Sequence, residues 1–449
     1  MSPLTPDAFI ATDLGRRPLL VQRDDRTYYK GVFSTKELQR QVRDCGLEWT
    51  ADVDAARYAD GVRTTHNGDG PTRVDDVWAR YGEGCSIRLS WPQRHSDALW
   101  SMIVQLEELF GSGGGANAYL TPPGAQGFAP HYDDIDAFVV QVEGEKSWRL
   151  YGPRSDEEIL PRYSSGNLDA ATLGPLIAEV TLRAGELLYL PRGCVHQAVS
   201  GTEPSLHVTL SLGRQHAWCD LLEVGVGAAL EMATASNVQW RETLPLDLAD
   251  HMGVVHADDN EEVEEEEAAA AEAPRLPGGD GSSAARRAAI TGRLRCMLRD
   301  LVDEMPLDAI VDHFLCHRYL HDRMPPRLAP ADAARRPANP SDVTIDDRIR
   351  LLSRRVARLA VEEGVAALYY SAGNGRSLHA HGEPQHIDFA LEAAPALEKV
   401  LTAYPKYVSV AALPADGDEQ RLDIARALVE AGVVLVRSTK GEKGSGASK

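Results

Sequence analysis

Residues 117–148, NAYLTPPGAQGFAPHYDDIDAFVVQVEGEKSW, decide the fold. They carry His131-Tyr132-Asp133, and a second segment, YLPRGCVHQAVS at 189–200, carries His196. In an extended strand, residues i and i+2 face the same side. His131 and Asp133 can therefore aim an imidazole and a carboxylate at one point. The run at 137–142 is rich in valine and aromatics, as a buried strand requires. Leu187-Leu188-Tyr189-Leu190 is a second apolar run, and Pro191-Arg192-Gly193 is a turn that leaves His196 at the mouth of a sheet. Two histidines and one carboxylate on one side of a metal leave three positions open. That set suits non-haem Fe(II). Zinc, which prefers a closed tetrahedral shell or more histidines, is the second choice.

Working outward, short strands separated by Pro and Gly turns over residues 117–212 predict an antiparallel barrel closed on itself. Gly144-Glu145 reads as a hairpin tip, with Lys146 directly after it. By the same alternation Tyr132 and Asp134 point away from the ligand side and Asp136 shares it. His207 reads as a satisfied core histidine or a donor behind a ligand. Upstream, residues 35–45 form a helix opened by Ser34, with Glu37 three positions on. Strand pieces follow at 57–58 and 62–63, and 82–89 leads into another strand. Leu99, Met102, Ile103, Leu106 and Leu109 repeat at helical spacing. The glycine-rich run 111–115 lacks the Lys and Ser/Thr of a phosphate loop, so it reads as a helix stop and flexible link.

Downstream, residues 212–251 turn helical. DDNEEVEEEEAAAAE at 258–272 and a Pro/Gly/Ser-rich piece to 283 read as a disordered insertion at about 257–283. Helices resume over 284–320, 324–340 reads as a linker, and 343–436 reads as a small α/β module. Residues 441–449 make a frayed tail. The expected domains are 1–215, 216–330 and 341–440, in an α+β chain.

With 449 residues, two or three domains are expected. The chain has 47 Lys and Arg against 67 Asp and Glu, a net charge of −20. Direct nucleic-acid binding is not expected from so acidic a chain, whereas a basic protein would be drawn to it. The six cysteines form no CxxC pair and read as reduced, packed thiols. A second metal ligand at Cys194 is the lesser reading. No apolar run reaches the roughly 20 residues of a membrane span, and the first ten lack a secretory pattern. A soluble intracellular protein is the expectation.

TPPGAQGFAPHYDDIDAFVVQVEGEKSWRLY and LYLPRGCVHQA…SLHVTLS resemble, in residue and order, the JmjC ribosomal oxygenases, the protein-hydroxylase branch of the 2-oxoglutarate oxygenases. The likeness is dense over about 84–211 and weaker in the C-terminal third. It implies a double-stranded β-helix (a cupin or jelly-roll JmjC barrel), a helical region that forms a homodimer, and a winged-helix-like C-terminal domain. It implies Fe(II) held by His131, Asp133 and His196, with 2-oxoglutarate and O₂ as cosubstrates. By matching, Lys146 grips the distal carboxylate of 2-oxoglutarate, Asn117 and Tyr119 line its pocket, and Ser211 helps hold it. The loop between His196 and the SLHVTLS strand is slightly shorter than in the family.

The nucleolar histidyl-hydroxylase members imply a basic substrate, a histidine of a ribosomal protein, and a nuclear or nucleolar location. Two rival readings stand beside this one. A JmjC histone lysine demethylase would act on a histone tail and release formaldehyde. A non-catalytic ribosome-assembly binding protein would release no succinate. A winged helix often means DNA, but no basic recognition helix is visible here, so a protein contact is expected.

Overall fold

The computed structural model describes residues 3–259, 283–333, 335, 339–362, 364–376 and 382–438. Most of the acidic insertion and the whole 441–449 tail lie outside the described residues. The chain forms two compact units, one of residues 1–216 with 315–449 and one of residues 217–314.

The first unit opens with helix α1 (Pro6–Thr12), strand β1 (Leu19–Val21) and helix α2 (Thr35–Asp44). Strands β2 (Val53–Ala59) and β3 (Val62–Thr65), helix α3 (Val74–Gly82), strand β4 (Ser86–Ser90) and helix α4 (Asp97–Phe110) follow. The remaining strands are β5 (Gly114–Thr121), β6 (Asp136–Glu143), β7 (Glu145–Tyr151), β8 (Leu176–Arg183), β9 (Leu187–Leu190), β10 (Val195–Ser200) and β11 (Ser205–Leu212).

An eight-stranded antiparallel sheet runs β1-β9-β6-β11-β5-β4-β2-β3, and a three-stranded one runs β10-β7-β8. The alternation of the strands divides the apolar residues between two layers. Phe138, Val140, Tyr189, Leu206, Val208, Ala118 and Leu120 bury one face of the large sheet under Phe9, Leu38, Leu99 and Ile103 of the helices. Ala137, Val139, Leu188 and Leu190 on the other face meet Trp148, Leu150 and Leu182 of the small sheet. The interior between the sheets opens at one end into the site.

The expected helix starts and stops hold where side chains supply them. The Ser34 hydroxyl accepts from the Glu37 amide at 3.1 Å. Ser96 caps α4, and Gly111, at φ +72°, ends it. The expected flexible link after it is a correction: Gly114 and Gly115 already belong to β5. A Cβ on Gly114 would sit 2.9 Å from both Ile103 and Leu212. Gly114 serves close helix–sheet approach rather than freedom. The buried Glu107 carboxylate accepts the Gly114 amide at 3.0 Å and the Met324 amide at 3.2 Å. Burial pushes its carboxyl up to about 8, against the pull of Arg323.

That contact also corrects the expected linker at 324–340. Met324 is fully buried, and Trp100 Nε1 donates to the Pro325 carbonyl at 3.0 Å. Beyond it, strands Arg348–Leu351, Ala357–Glu362, Val365–Tyr370 and His386–Ala390, helices Ala394–Ala403 and Gly417–Glu430, and strand Val434–Arg437 build the C-terminal module around its own core. Arg323, buried, pairs with Glu108 and donates to the Arg355 carbonyl at 2.5 Å, tying this module to α4.

The second unit is helical. Trp218–Ser236, Leu248–His251, Ser283–Asp303 and Leu307–Phe314 are its α-helices among the described residues. Ala229, Ala233 and Leu301 form a small core, and Gly225 lets Ile310 pack against the helix backbone. Among the described residues, no helix is long and apolar enough to cross a membrane.

Candidate metal centre

His131 and His196 are cross-strand neighbours. The His131 amide donates to the His196 carbonyl at 3.2 Å and the His196 amide returns the bond at 2.8 Å. Such a reciprocal antiparallel pair sets two side chains side by side on one face, and the ring centroids are 4.5 Å apart. The bridge is isolated: β6 begins only at Asp136. The continuous strand expected to carry HxD is therefore absent, and a backbone bond places Asp133 instead. The Gly193 amide donates to the Asp133 carbonyl at 3.0 Å. Gly193 has φ +87°, and a Cβ there would lie 2.3 Å from the Glu158 carbonyl, so the turn needs glycine.

The outcome is a converging set. Asp133 Oδ1 lies 3.9 Å from His131 Nε2, and Oδ2 lies 4.0 Å from His196 Nε2. The three ligand atoms fall within 4.8 Å of one another. Each imidazole is oriented from behind. His131 Nδ1 donates to the Ala129 carbonyl at 2.8 Å and His196 Nδ1 to the Cys194 carbonyl at 2.9 Å. That leaves both Nε2 lone pairs facing the gap, the arrangement metal-bound histidines adopt. Burial, and then the neighbouring His131, push His196 down to about 4, so it is uncharged at neutral pH. Two imidazole nitrogens and one carboxylate oxygen fit a six-coordinate ion with three open positions. Cys194 supplies a carbonyl, and its thiol stays protonated, pushed up to about 12 by burial.

A cavity of about 250 Å³ adjoins this set. Lys146, Tyr119, Trp148, His207 and Thr209 line its inner part. The Lys146 ammonium, 5% exposed, donates to Thr121 Oγ1 at 3.0 Å. Among the described residues no carboxylate is paired with it, and burial pushes its pKa down to about 7. A buried cation without a counter-ion is costly, so the cavity is built for an anion. Tyr119 stacks on His207 with centroids 4.8 Å apart and planes at 11°. Its phenol is pushed up to about 12 by burial and does not ionise at neutral pH. Arg63, Arg88, Phe128 and Tyr132 line the mouth, where the Arg63 guanidinium sits 4.7 Å over the Phe128 ring.

The sequence-derived residues divide three ways. His131, Asp133, His196, Lys146 and Tyr119 all line the one cavity. Asn117 and Ser211 do not, although alternation puts them on the same faces of β5 and β11 as Tyr119 and His207. Thr209, opposite Asn117 in the register, reaches the cavity in place of Ser211. Asp136 does not share the ligand side: Tyr189 bonds it away from the centre. Tyr132, expected to face away, lines the cavity. Sequence reading missed Thr121 and Thr209, which the strand alternation could have found. It also missed the wall at 164–167, held to the HYD segment by Ser165 (its amide to the Tyr132 carbonyl at 3.0 Å), which no motif signals.

Residues 88–221 match the family model described as the JmjC domain, and residues 330–439 match the C-terminal winged helix domain of ribosomal oxygenase 1. Ribosomal oxygenase 1 of Gallus gallus is 39% identical over 451 residues, covering 97% of this chain and 71% of that protein. The bifunctional lysine-specific demethylase and histidyl-hydroxylase NO66 of Culex quinquefasciatus is 38% identical, covering 96% of this chain and 65% of that one. Among solved structures, the Escherichia coli ribosomal oxygenase YcfD, described in complex with cobalt and 2-oxoglutarate, aligns with a TM-score of 0.54 at 17% identity. That alignment covers 97% of this chain and 99% of the other, and it speaks to the fold.

Proposed function

The chain belongs to the JmjC-domain ribosomal oxygenases, and from that premise we propose that it is an Fe(II)- and 2-oxoglutarate-dependent oxygenase hydroxylating a histidine of a ribosomal protein. One observation carries this reading: an open three-ligand metal set and an uncompensated buried lysine share one cavity. Fe(II), 2-oxoglutarate and O₂ together supply the oxidising power to insert one oxygen atom into a C–H bond. The chain supplies the rest. His131, Asp133 and His196 fix the ion on one side, and Lys146 meets a carboxylate of the cosubstrate. Trp148 and the Tyr119–His207 stack keep water from the inner cavity. The mouth between Arg63, Phe128 and Tyr132 holds the target side chain at the open positions.

Mass spectrometry of ribosomal proteins and histone tails, incubated with the protein, Fe(II), 2-oxoglutarate and O₂, tests the proposal. A gain of one oxygen on a ribosomal-protein histidine is expected. Methyl loss with formaldehyde release would turn the assignment to the demethylase activity named for NO66 relatives. Absence of succinate in every reaction would leave only a binding protein. A nucleolar place of action in a nucleated cell goes with a ribosomal substrate, and a tagged chain excluded from nucleoli would remove it.

The second unit supports a homodimer. Trp218, Leu222, Val226 and Leu230 recur every fourth residue along one helix, and Leu294, Leu298 and Val302 along another. All seven are exposed, Trp218 at 81%. Two apolar stripes of this length are unusual on a lone surface helix and mark an interface. Leu298→Glu with Val302→Glu is expected to halve the mass in light scattering; an unchanged dimer would place the interface elsewhere.

A further inference from the structure

Two buried polar groups in the inner cavity lack partners among the described residues. Trp148 is 4% exposed and its Nε1 has no acceptor; His207 is 3% exposed and its Nδ1 is unbonded. Both line the cavity that Lys146 enters. The Trp148 ring lies 5.4 Å from the His207 ring and 6.0 Å from Lys146 Nζ. An indole N–H can only donate. An orphaned donor at this depth costs stability unless something accepts from it. Burial and the nearby Lys146 hold His207 neutral, so it too can offer a single N–H. The core needs neither bond: both rings already pack, Trp148 among Val139, Leu150, Leu182 and Leu188 and His207 flat on Tyr119.

We propose that Trp148 Nε1–H and His207 Nδ1–H are the two neutral hydrogen-bond donors of the cosubstrate carboxylate seat whose charge is Lys146. A carboxylate has about four acceptor positions, and a lone ammonium leaves several empty. One cation with two neutral donors fills them without a second charge to bury. The inference rests on reading the cavity as a 2-oxoglutarate site.

The test is 2-oxoglutarate binding to the full chain loaded with Zn(II), followed by calorimetry and by ¹⁵N-indole NMR. One of the seven tryptophan indole signals, assigned by its loss in Trp148→Phe, should move downfield on titration. His207→Phe keeps the stacked ring and removes the N–H, so it should weaken 2-oxoglutarate about 10-fold or more, with Zn(II) affinity and melting temperature unchanged. His207→Gln, which retains an N–H, should recover most of that loss. A static Trp148 signal, or His207→Phe binding as the wild type does, would overturn the seat. Equal losses in His207→Phe and His207→Gln, with a lowered melting temperature, would assign His207 a packing role instead. Wild-type protein that fails to bind 2-oxoglutarate would remove the cosubstrate reading itself, a separate outcome from either of these.

Discussion

Asp133→Ala is expected to abolish turnover while leaving the fold intact. Among the described residues Asp133 supplies the only carboxylate facing the two imidazoles, and its side chain is 36% exposed. Loss of a partner behind a ligand costs about 10–100-fold in metal affinity, and loss of the ligand itself should exceed that. Product formation should fall below detection at micromolar Fe(II). The melting temperature of the metal-free protein should stay within about 2 °C, since the carboxylate supports no core contact. His131 and His196 stay joined by their backbone bonds whatever stands at 133. Measurable hydroxylation by this variant would discard the ligand assignment.

Lys146→Met should have the second-largest effect. Methionine keeps most of the stem and removes the charge, leaving the carboxylate of 2-oxoglutarate buried without its cation. Breaking a buried pair in this way costs about 3–5 kcal/mol, so the 2-oxoglutarate Kd should rise at least about 100-fold.

The pH dependence has a definite sign. Burial lowers Lys146 from its ordinary 10.5 to about 7 in the ligand-free fold. Below pH 7 the lysine is charged in both folded and unfolded chains, and its full burial penalty is present. Between pH 7 and 10.5 the unfolded chain binds the extra proton, so stability rises with pH. The stabilisation of ligand-free Lys146→Met over wild type should thus be largest at pH 7 and below and fade towards pH 10. Wild-type affinity for 2-oxoglutarate should weaken above pH 7, because a proton must then be taken up on binding. A flat profile in both measurements would mean that Lys146 is not the cosubstrate's cation.

Much of the site was legible because its signals are local. The HYD triplet and the turn before His196 are each read from a few neighbouring residues, whereas the hairpin expected at Gly144-Glu145 does not form: β6 lies in the eight-stranded sheet and β7 in the three-stranded one, so Gly144 carries the chain from one sheet to the other. The helix ends at Ser34, Ser96 and Gly111 are likewise local, since one side chain or one φ angle decides them. What escaped depends on tertiary register. Strand parity placed His131 and Asp133 together by an argument the backbone does not use, since only one bridge forms there. The same parity mis-aimed Tyr132 and Asp136, which sit outside or at the very edge of the strand. Asn117 and Ser211 came from matching to the family, and alternation puts them on the same strand faces as Tyr119 and His207. How far along each strand the cavity extends is a matter of depth, which parity cannot express. Gly114 reads as slack because a sequence does not reveal that Leu212 and Ile103 will press against it.

The mutual backbone bonds between positions 131 and 196 have a bearing on how the protein is loaded. Both imidazoles are set by peptide groups and carbonyls rather than by an ion, so an emptied centre does not have to refold to be refilled. Scavenging a scarce cation then depends on diffusion through the open mouth. Removing and restoring the ion is therefore expected to leave protease resistance unchanged.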